Sequence, residues 1–218
     1  YSPEDRRDFW QRTLDFRRIR PIWWLLTLFV TPVLVGAGVL LDVWLGAPPP
    51  DLSTLKSLLA DPISLVITTI MMIVAGALSE ELGWRGLALE TLQKKFSPLL
   101  ASAILLPVWW VWHLPLFSFQ GTTQYAWGWF SPMFWLFLGI VSFLTFLFTP
   151  AYNQNKRSTM AVILFHFSFN YSLALLSPLS LRAWVILVIL LAISAVYIWM
   201  PEIRSKRARI FFTDQAIN

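Results

Sequence analysis

The chain has 218 residues, of which 57% are apolar, 16% aromatic and only 13% charged, with 17 basic against 12 acidic side chains for a net charge of +5; an ordinary soluble domain carries about 25% charged residues. A mean hydropathy of +0.62, with 13 Trp and 17 Phe, would force large apolar patches onto a water-soluble fold, so the bilayer is the natural solvent of this chain. With no Cys, a disulfide framework, thiolate catalysis and Cys-ligated zinc are excluded, and the positive charge, placed between apolar stretches, argues for membrane topology and against nucleic acid.

Residues 1–20 mix six Arg with Phe9, Trp10, Leu14 and Phe16, which predicts an interfacial amphipathic segment rather than a signal peptide. A bilayer core of about 30 Å takes about 20 helical residues. The first span is then expected at 21–45, followed by an outer loop, Gly46 to Asp61, broken by Pro48, Pro49 and Pro50. The second span is expected at 62–83 and the third at 97–116. The long uncharged stretch from Leu114 to Asn155 contains Gly121, Gly128 and Pro132 and breaks there, giving a fourth span at 130–149. The fifth and sixth follow at 158–177 and 181–200. The expected fold class is all-α, a polytopic transmembrane helix bundle of about six spans over residues 21–200, with a basic tail at 201–218.

An even number of spans puts both termini on one side. Fourteen of the 17 basic residues fall in the two tails and in the loops holding Lys94, Lys95, Lys156 and Arg157, while Lys56 and Arg182 fall on the other side. Short cytoplasmic loops are enriched in Lys and Arg, so a multi-pass membrane protein with both termini cytoplasmic is expected.

Ionisable side chains inside a span cost from about 2.5 kcal/mol upward and mark functional sites. They gather at three places: Glu80, Glu81 and Arg85 late in the second span, His113 late in the third, and His166 with Asn170 in the fifth. Glu81 and Arg85 are spaced to pair on one helical face. Glu80 points about 100° away from Glu81 and lacks that partner, the setting of a general base. His166 and Asn170 share a face and together offer donors for a developing oxyanion. Each feature alone has a plainer reading: an interfacial ion pair, a hydrogen-bonded core histidine, helix-packing glue. Trp109, Trp110 and Trp112 read as packing or interfacial residues rather than a substrate platform, and Glu90, Lys94 and Lys95 as a solvated helix face.

The stretches S-E-E-L-G-W-R-G at 79–86, W-W-V-W-H-L-P at 109–115 and H-F-S-F-N at 166–170 resemble the three motifs of the CPBP family, the CAAX proteases and bacteriocin-processing enzymes. Its pattern is E-E-x-x-x-R, an aromatic-x-x-x-H, and H-x-x-x-N. Position 109 is Trp where the family often has Phe. The resemblance implies an intramembrane endopeptidase in which Glu80 and His113 activate water, His166 and Asn170 stabilise the oxyanion, and Glu81 and Arg85 brace the site. Many members carry further spans upstream of where this chain begins. Zinc on Glu80, His113 and His166 is the disfavoured alternative, because no H-E-x-x-H spacing places two ligands on one helical face. A metal-free glutamate mechanism, with no cofactor, is expected.

Depth sets a further condition. His113 lies about 24 Å along the third span from its cytoplasmic start, whereas a second span ending near residue 83 would leave Glu80 within about 10 Å of that face. Tilt, or a second span that runs on as one helix through Leu92, would bring the two together; the second is expected, with a polar cavity that admits water to that depth. The expected partners are the lipid bilayer and a peptide or protein substrate entering from the cytoplasmic side. Two other functions fit the same polar residues: a proton-coupled transporter relaying protons through Glu80, His113 and His166, and a non-catalytic immunity protein of the bacteriocin-immunity type.

Overall fold

The computed structural model describes residues 2–176 and 179–214, without the side chains of 202 and 204–214. Described residues form an all-helical bundle with six helices long and apolar enough to cross a membrane: Pro21–Trp44, Pro62–Gln93, Pro98–Phe117, Pro132–Gln154, Thr159–Leu176 and Leu181–Pro201. The chain is a multi-pass membrane protein of the expected fold class. The sixth helix continues to Asp214, and the basic side chains of the expected tail lie outside the described residues.

The spans start where the sequence offers a fixed φ, a side-chain cap, or both. Pro21, Pro62, Pro98 and Pro132 occupy first-turn positions, where the missing N–H costs nothing. Asp61, Ser97, Ser131, Ser158 and Ser180 each accept from a first-turn N–H.

Pro150 and Pro32 lie inside spans without ending them. The fourth span runs five residues past its expected end at 149, through Pro150 to Gln154. Pro150 cannot donate to the carbonyl four residues back, at Phe146, and the Trp199 indole of the sixth span donates to that carbonyl at 2.7 Å. In the first span Pro32 frees the Leu28 carbonyl in the same way, and the Ser168 hydroxyl of the fifth span fills it at 2.8 Å. Each proline thus becomes a cross-link between spans.

The second span is one helix of 32 residues, as expected from the depth argument. Its regular turns at Ser79–Gly83 lie between two wider, π-helical stretches, Met72–Leu78 and Trp84–Leu89, a feature common at functional sites. Its first ten residues are all solvent- or lipid-accessible, whereas the half beyond Ser79 is embedded in the bundle.

The N-terminal helix Pro3–Leu14 opens with a capping box between Ser2 and Asp5. It buries Arg12 and Thr13 against the bundle while Trp10 and Leu14 stay exposed. Gly86 admits it: a Cβ there would lie 2.8 Å from the Phe9 ring. The Arg12 guanidinium donates to the Gly86 carbonyl at 3.2 Å and the Tyr152 hydroxyl at 2.6 Å. Tyr152 donates to Glu90 at 2.8 Å, and Arg157 reaches both Glu90 and Asp8. Glu90 is therefore a partly buried junction of three segments, not the solvated surface residue expected, because the N-terminal helix and the loop after the fourth span fold over it. The outer loop also holds a short helix, Ser53–Ala60.

Candidate active site

Counted from their shared end of the bundle, Glu80 lies about 20 Å along the second span from Gln93 and His113 about 22 Å along the third from Pro98. They meet at matching depth: His113 Nε2 is 3.9 Å from Glu80 Oε2. The His113 Nδ1 nitrogen is 2.8 Å from the Trp109 carbonyl. A carbonyl only accepts, so Nδ1 carries a proton, and Nε2 is the ring nitrogen that faces Glu80.

The second carboxylate has a different role. Glu81 and Arg85 are both fully buried, with Arg85 Nη1 at 2.9 and 3.0 Å from the two carboxylate oxygens. Glu81 Oε1 also accepts from His166 Nδ1 at 2.8 Å. The pair expected from the spacing forms, and Glu81 also bonds His166, 85 residues away in sequence. The Arg85 guanidinium lies 4.4 Å from the Trp109 ring centroid and 4.9 Å from that of Phe148. Its Nε and Nη2 have no hydrogen-bond partner, so cation–π contact supplies what hydrogen bonds do not.

Trp109 joins these two halves. Its indole Nε1 donates to Glu80 Oε2 at 2.8 Å. Its ring stands edge-on to both histidines, at 5.6 Å from His113 and 5.8 Å from His166. Trp109 lies in the buried core, as the packing reading expects, and its bond to Glu80 is a feature beyond packing. The three-tryptophan run gave no signal for this, since burial and an indole donor look alike in a sequence. Trp112 behaves as expected, exposed and edge-on to Trp84.

Asn170 follows His166 by one turn and makes no side-chain hydrogen bond among the described residues. Its amide nitrogen lies 3.8 Å from the position a Cβ on Gly76 would take, and it borders a crevice of about 300 Å³. This crevice is walled mainly by Trp127, Phe137, Phe169 and Trp184, and neither Glu80 nor His113 lines it.

A tetrahedral zinc holds its ligands at about 2.0–2.2 Å and needs three from the protein. Among the described residues no three His, Asp or Glu side chains group closely enough to hold an ion. One embedded acid lies apart from this cluster: Asp42, at the end of the first span, accepts from Ser180 and pairs with Arg182 of the sixth.

Residues 62–172 match the family model described as type II CAAX prenyl endopeptidase Rce1-like. The chain is also similar to a CAAX prenyl protease 2 of Methanococcus maripaludis, with 29% identity over 184 residues, covering 80% of this chain and 64% of that relative. It thus spans under two thirds of the relative's length. The matched region contains all three polar clusters.

Proposed function

The chain belongs to the Rce1-like family of type II CAAX prenyl endopeptidases, and from that premise we propose that it is an intramembrane endopeptidase hydrolysing a peptide bond with water activated by Glu80 and His113, without a metal. The observation that carries this is the division of labour between adjacent carboxylates. Glu81 is sealed and saturated by Arg85 and His166, whereas Glu80 keeps 21% of its side chain accessible and faces the His113 Nε2 nitrogen 3.9 Å away. A water about 2.8 Å from both atoms would see them at about 90°.

In the proposed reaction Glu80 takes a proton from that water while His113 Nε2 accepts its second hydrogen bond. The hydroxide oxygen bonds to the scissile carbonyl carbon, and His166 and Asn170 face the resulting oxyanion. Glu80 returns the proton to the amide nitrogen as the C–N bond breaks, giving a carboxylic acid and an amine, between which the remaining acid proton then passes to solvent or to the amine. Glu81 keeps His166 oriented by holding Nδ1. Both termini are placed in the cytoplasm on the strength of the basic tails and loops, with residues 1–20 at the headgroup level.

The test is purified protein in detergent with a library of apolar membrane peptides in ¹⁸O-water. Wild type should release two fragments, the new carboxyl terminus carrying one ¹⁸O, at a rate that EDTA and phenanthroline leave unchanged. No cleavage overturns the assignment, and a chelator-sensitive rate overturns the metal-free chemistry. Vesicles that instead show proton flux dependent on Glu80 would favour the transporter.

Trp109→Phe separates ring from donor. Phenylalanine keeps the stack on Arg85 but cannot bond Glu80, so the carboxylate loses its fixed rotamer. A hydrogen bond to a charged group is worth about 1.5–3 kcal/mol. Turnover should fall about 10- to 100-fold with KM within about twofold and the melting temperature little changed; a matched fall in stability would make Trp109 a packing residue only.

A further inference from the structure

We infer that the outward face of the N-terminal segment is a binding surface for anionic phospholipid headgroups, in which Arg6, Arg7, Arg17 and Arg20 surround an apolar ridge of Trp10, Leu14 and Phe16. The partner is the leaflet at this end of the bundle, and the surface stands whether or not the chain cleaves peptides.

The inner face of the helix Pro3–Leu14 is occupied. Phe9 sits against Gly86, Arg12 donates to the Gly86 carbonyl and the Tyr152 hydroxyl, and Thr13 is buried. Docked in that way, the helix turns its other side outward. Arg7, Trp10 and Leu14 are three and four residues apart and share one face; all three are exposed, as is Arg6. The ridge continues past the helix. Phe16, also exposed, stacks on Trp24 of the first span at 5.9 Å, and the neighbours of Trp24 at Ile22 and Leu25 are exposed in turn. Apolar surface thus runs from the N-terminal helix onto the outer side of a membrane span, the pattern of a helix lying in the interface.

Depth agrees with this. Gly86 lies about 10 Å along the second span from its end at Gln93, which sets the docked helix at headgroup level rather than above it. Arg17 and Arg20 stand within four residues of Pro21, where the first span begins. They are placed at the edge of the hydrocarbon, where phosphates sit.

Charge selects the headgroup. The nearby carboxylates are engaged: Asp8 and Glu90 pair with Arg12 and Arg157, Asp5 closes the capping box, and Asp15 accepts from the Arg17 N–H. Arg6, Arg7, Arg17 and Arg20 make no ion pair among the described residues. Membrane topology counts Lys and Arg alike, yet every basic residue of the first 20 is Arg. Its planar fork matches phosphate in a bidentate way that an ammonium cannot. An acidic protein would meet the same charges, but the ridge that continues onto the first span favours lipid.

The test uses the absence of cysteine: Leu14→Cys carries a single bimane on the ridge, one apolar group in place of another. Full-length protein in phosphatidylcholine nanodiscs is quenched by brominated phosphatidylglycerol or by phosphatidylcholine brominated at the same carbons, at equal mole fraction. The ratio of quenching constants should favour phosphatidylglycerol at least about fivefold, the gain of roughly one basic contact with an anionic surface. It should fall to within about twofold of unity when Arg6→Gln, Arg7→Gln, Arg17→Gln and Arg20→Gln are combined. The dye on Trp44→Cys, exposed at the other end of the first span, should show no preference. Folding is checked by gel filtration and thermal melting; if the fourfold variant does not fold, Arg17→Gln with Arg20→Gln should still remove at least about half of the preference. No preference in the parent, an equal one at Trp44→Cys, or one that survives loss of the arginines overturns the inference. Erasure by inorganic phosphate or by a polyglutamate peptide at unchanged ionic strength marks a free-anion or acidic-protein site and overturns it as well. None of these readings depends on turnover, so the endopeptidase reading stands or falls separately.

Discussion

Glu80→Gln protein should fold as the wild type does and cleave peptides about 10³- to 10⁴-fold more slowly. The amide keeps the size of the carboxylate and can still accept from the Trp109 indole, which now bonds Glu80 Oε2 at 2.8 Å. What it loses is the capacity to take a proton from water and return it to the leaving amine, and general acid–base catalysis is worth about 10²–10⁴-fold. Because one group does both jobs, the upper part of that range applies. His113→Asn should cost less, about 10- to 100-fold, since His113 directs the water while Glu80 removes the proton. Turnover by purified variants of matched melting temperature measures both. If the Glu80→Gln protein retained more than a tenth of the wild-type rate, Glu80 would not be the base, and the buried Glu81 could not replace it without giving up Arg85 and His166.

The sequence made some of this legible for identifiable reasons. Hydropathy reports depth, so six spans could be placed, and four of them begin at a proline that marks a first turn. Helical spacing reports azimuth within one helix, so the Glu81 and Arg85 pair was readable, and depth arithmetic led to the single long second span. Neither reports which faces of different helices meet. The bond from His166 to Glu81, the Trp109 donor on Glu80 and the Arg12–Tyr152–Glu90 junction all join separate elements. The fourth span outran its expected end for a related reason: the carbonyl that Pro150 orphans is satisfied by Trp199, 53 residues away, a tertiary contact that local sequence does not report. The clustering of charge in a chain that is only 13% charged was the one long-range signal available, and it marked Glu80, His113, His166 and Asn170 without saying how they are held.

The Glu81–Arg85 pair allows stability and function to be separated. Removing one partner strands the other: Glu81→Ala leaves a guanidinium that is fully buried, already has two unpartnered nitrogens and rests on Trp109 and Phe148. Breaking a buried pair in this way costs ~3–5 kcal/mol, a large part of the total stability of a typical domain. Glu81→Ala and Arg85→Ala should each unfold at markedly lower denaturant or temperature, or fail to accumulate. Replacing both, as Glu81→Leu with Arg85→Met, removes two charges from a site with no access to water and fills the volume, an exchange that is often neutral or stabilising. The double variant should therefore recover most of the lost stability. It should not recover activity, because His166 would have lost the acceptor that fixes its Nδ1 at 2.8 Å. Thermal melts and turnover measured on all four proteins close the cycle. A stable double variant with turnover near wild type would mean that Glu81 only holds Arg85, whereas a stable and inactive one identifies the pair as a device for orienting His166, kept in the membrane interior at the expense of stability.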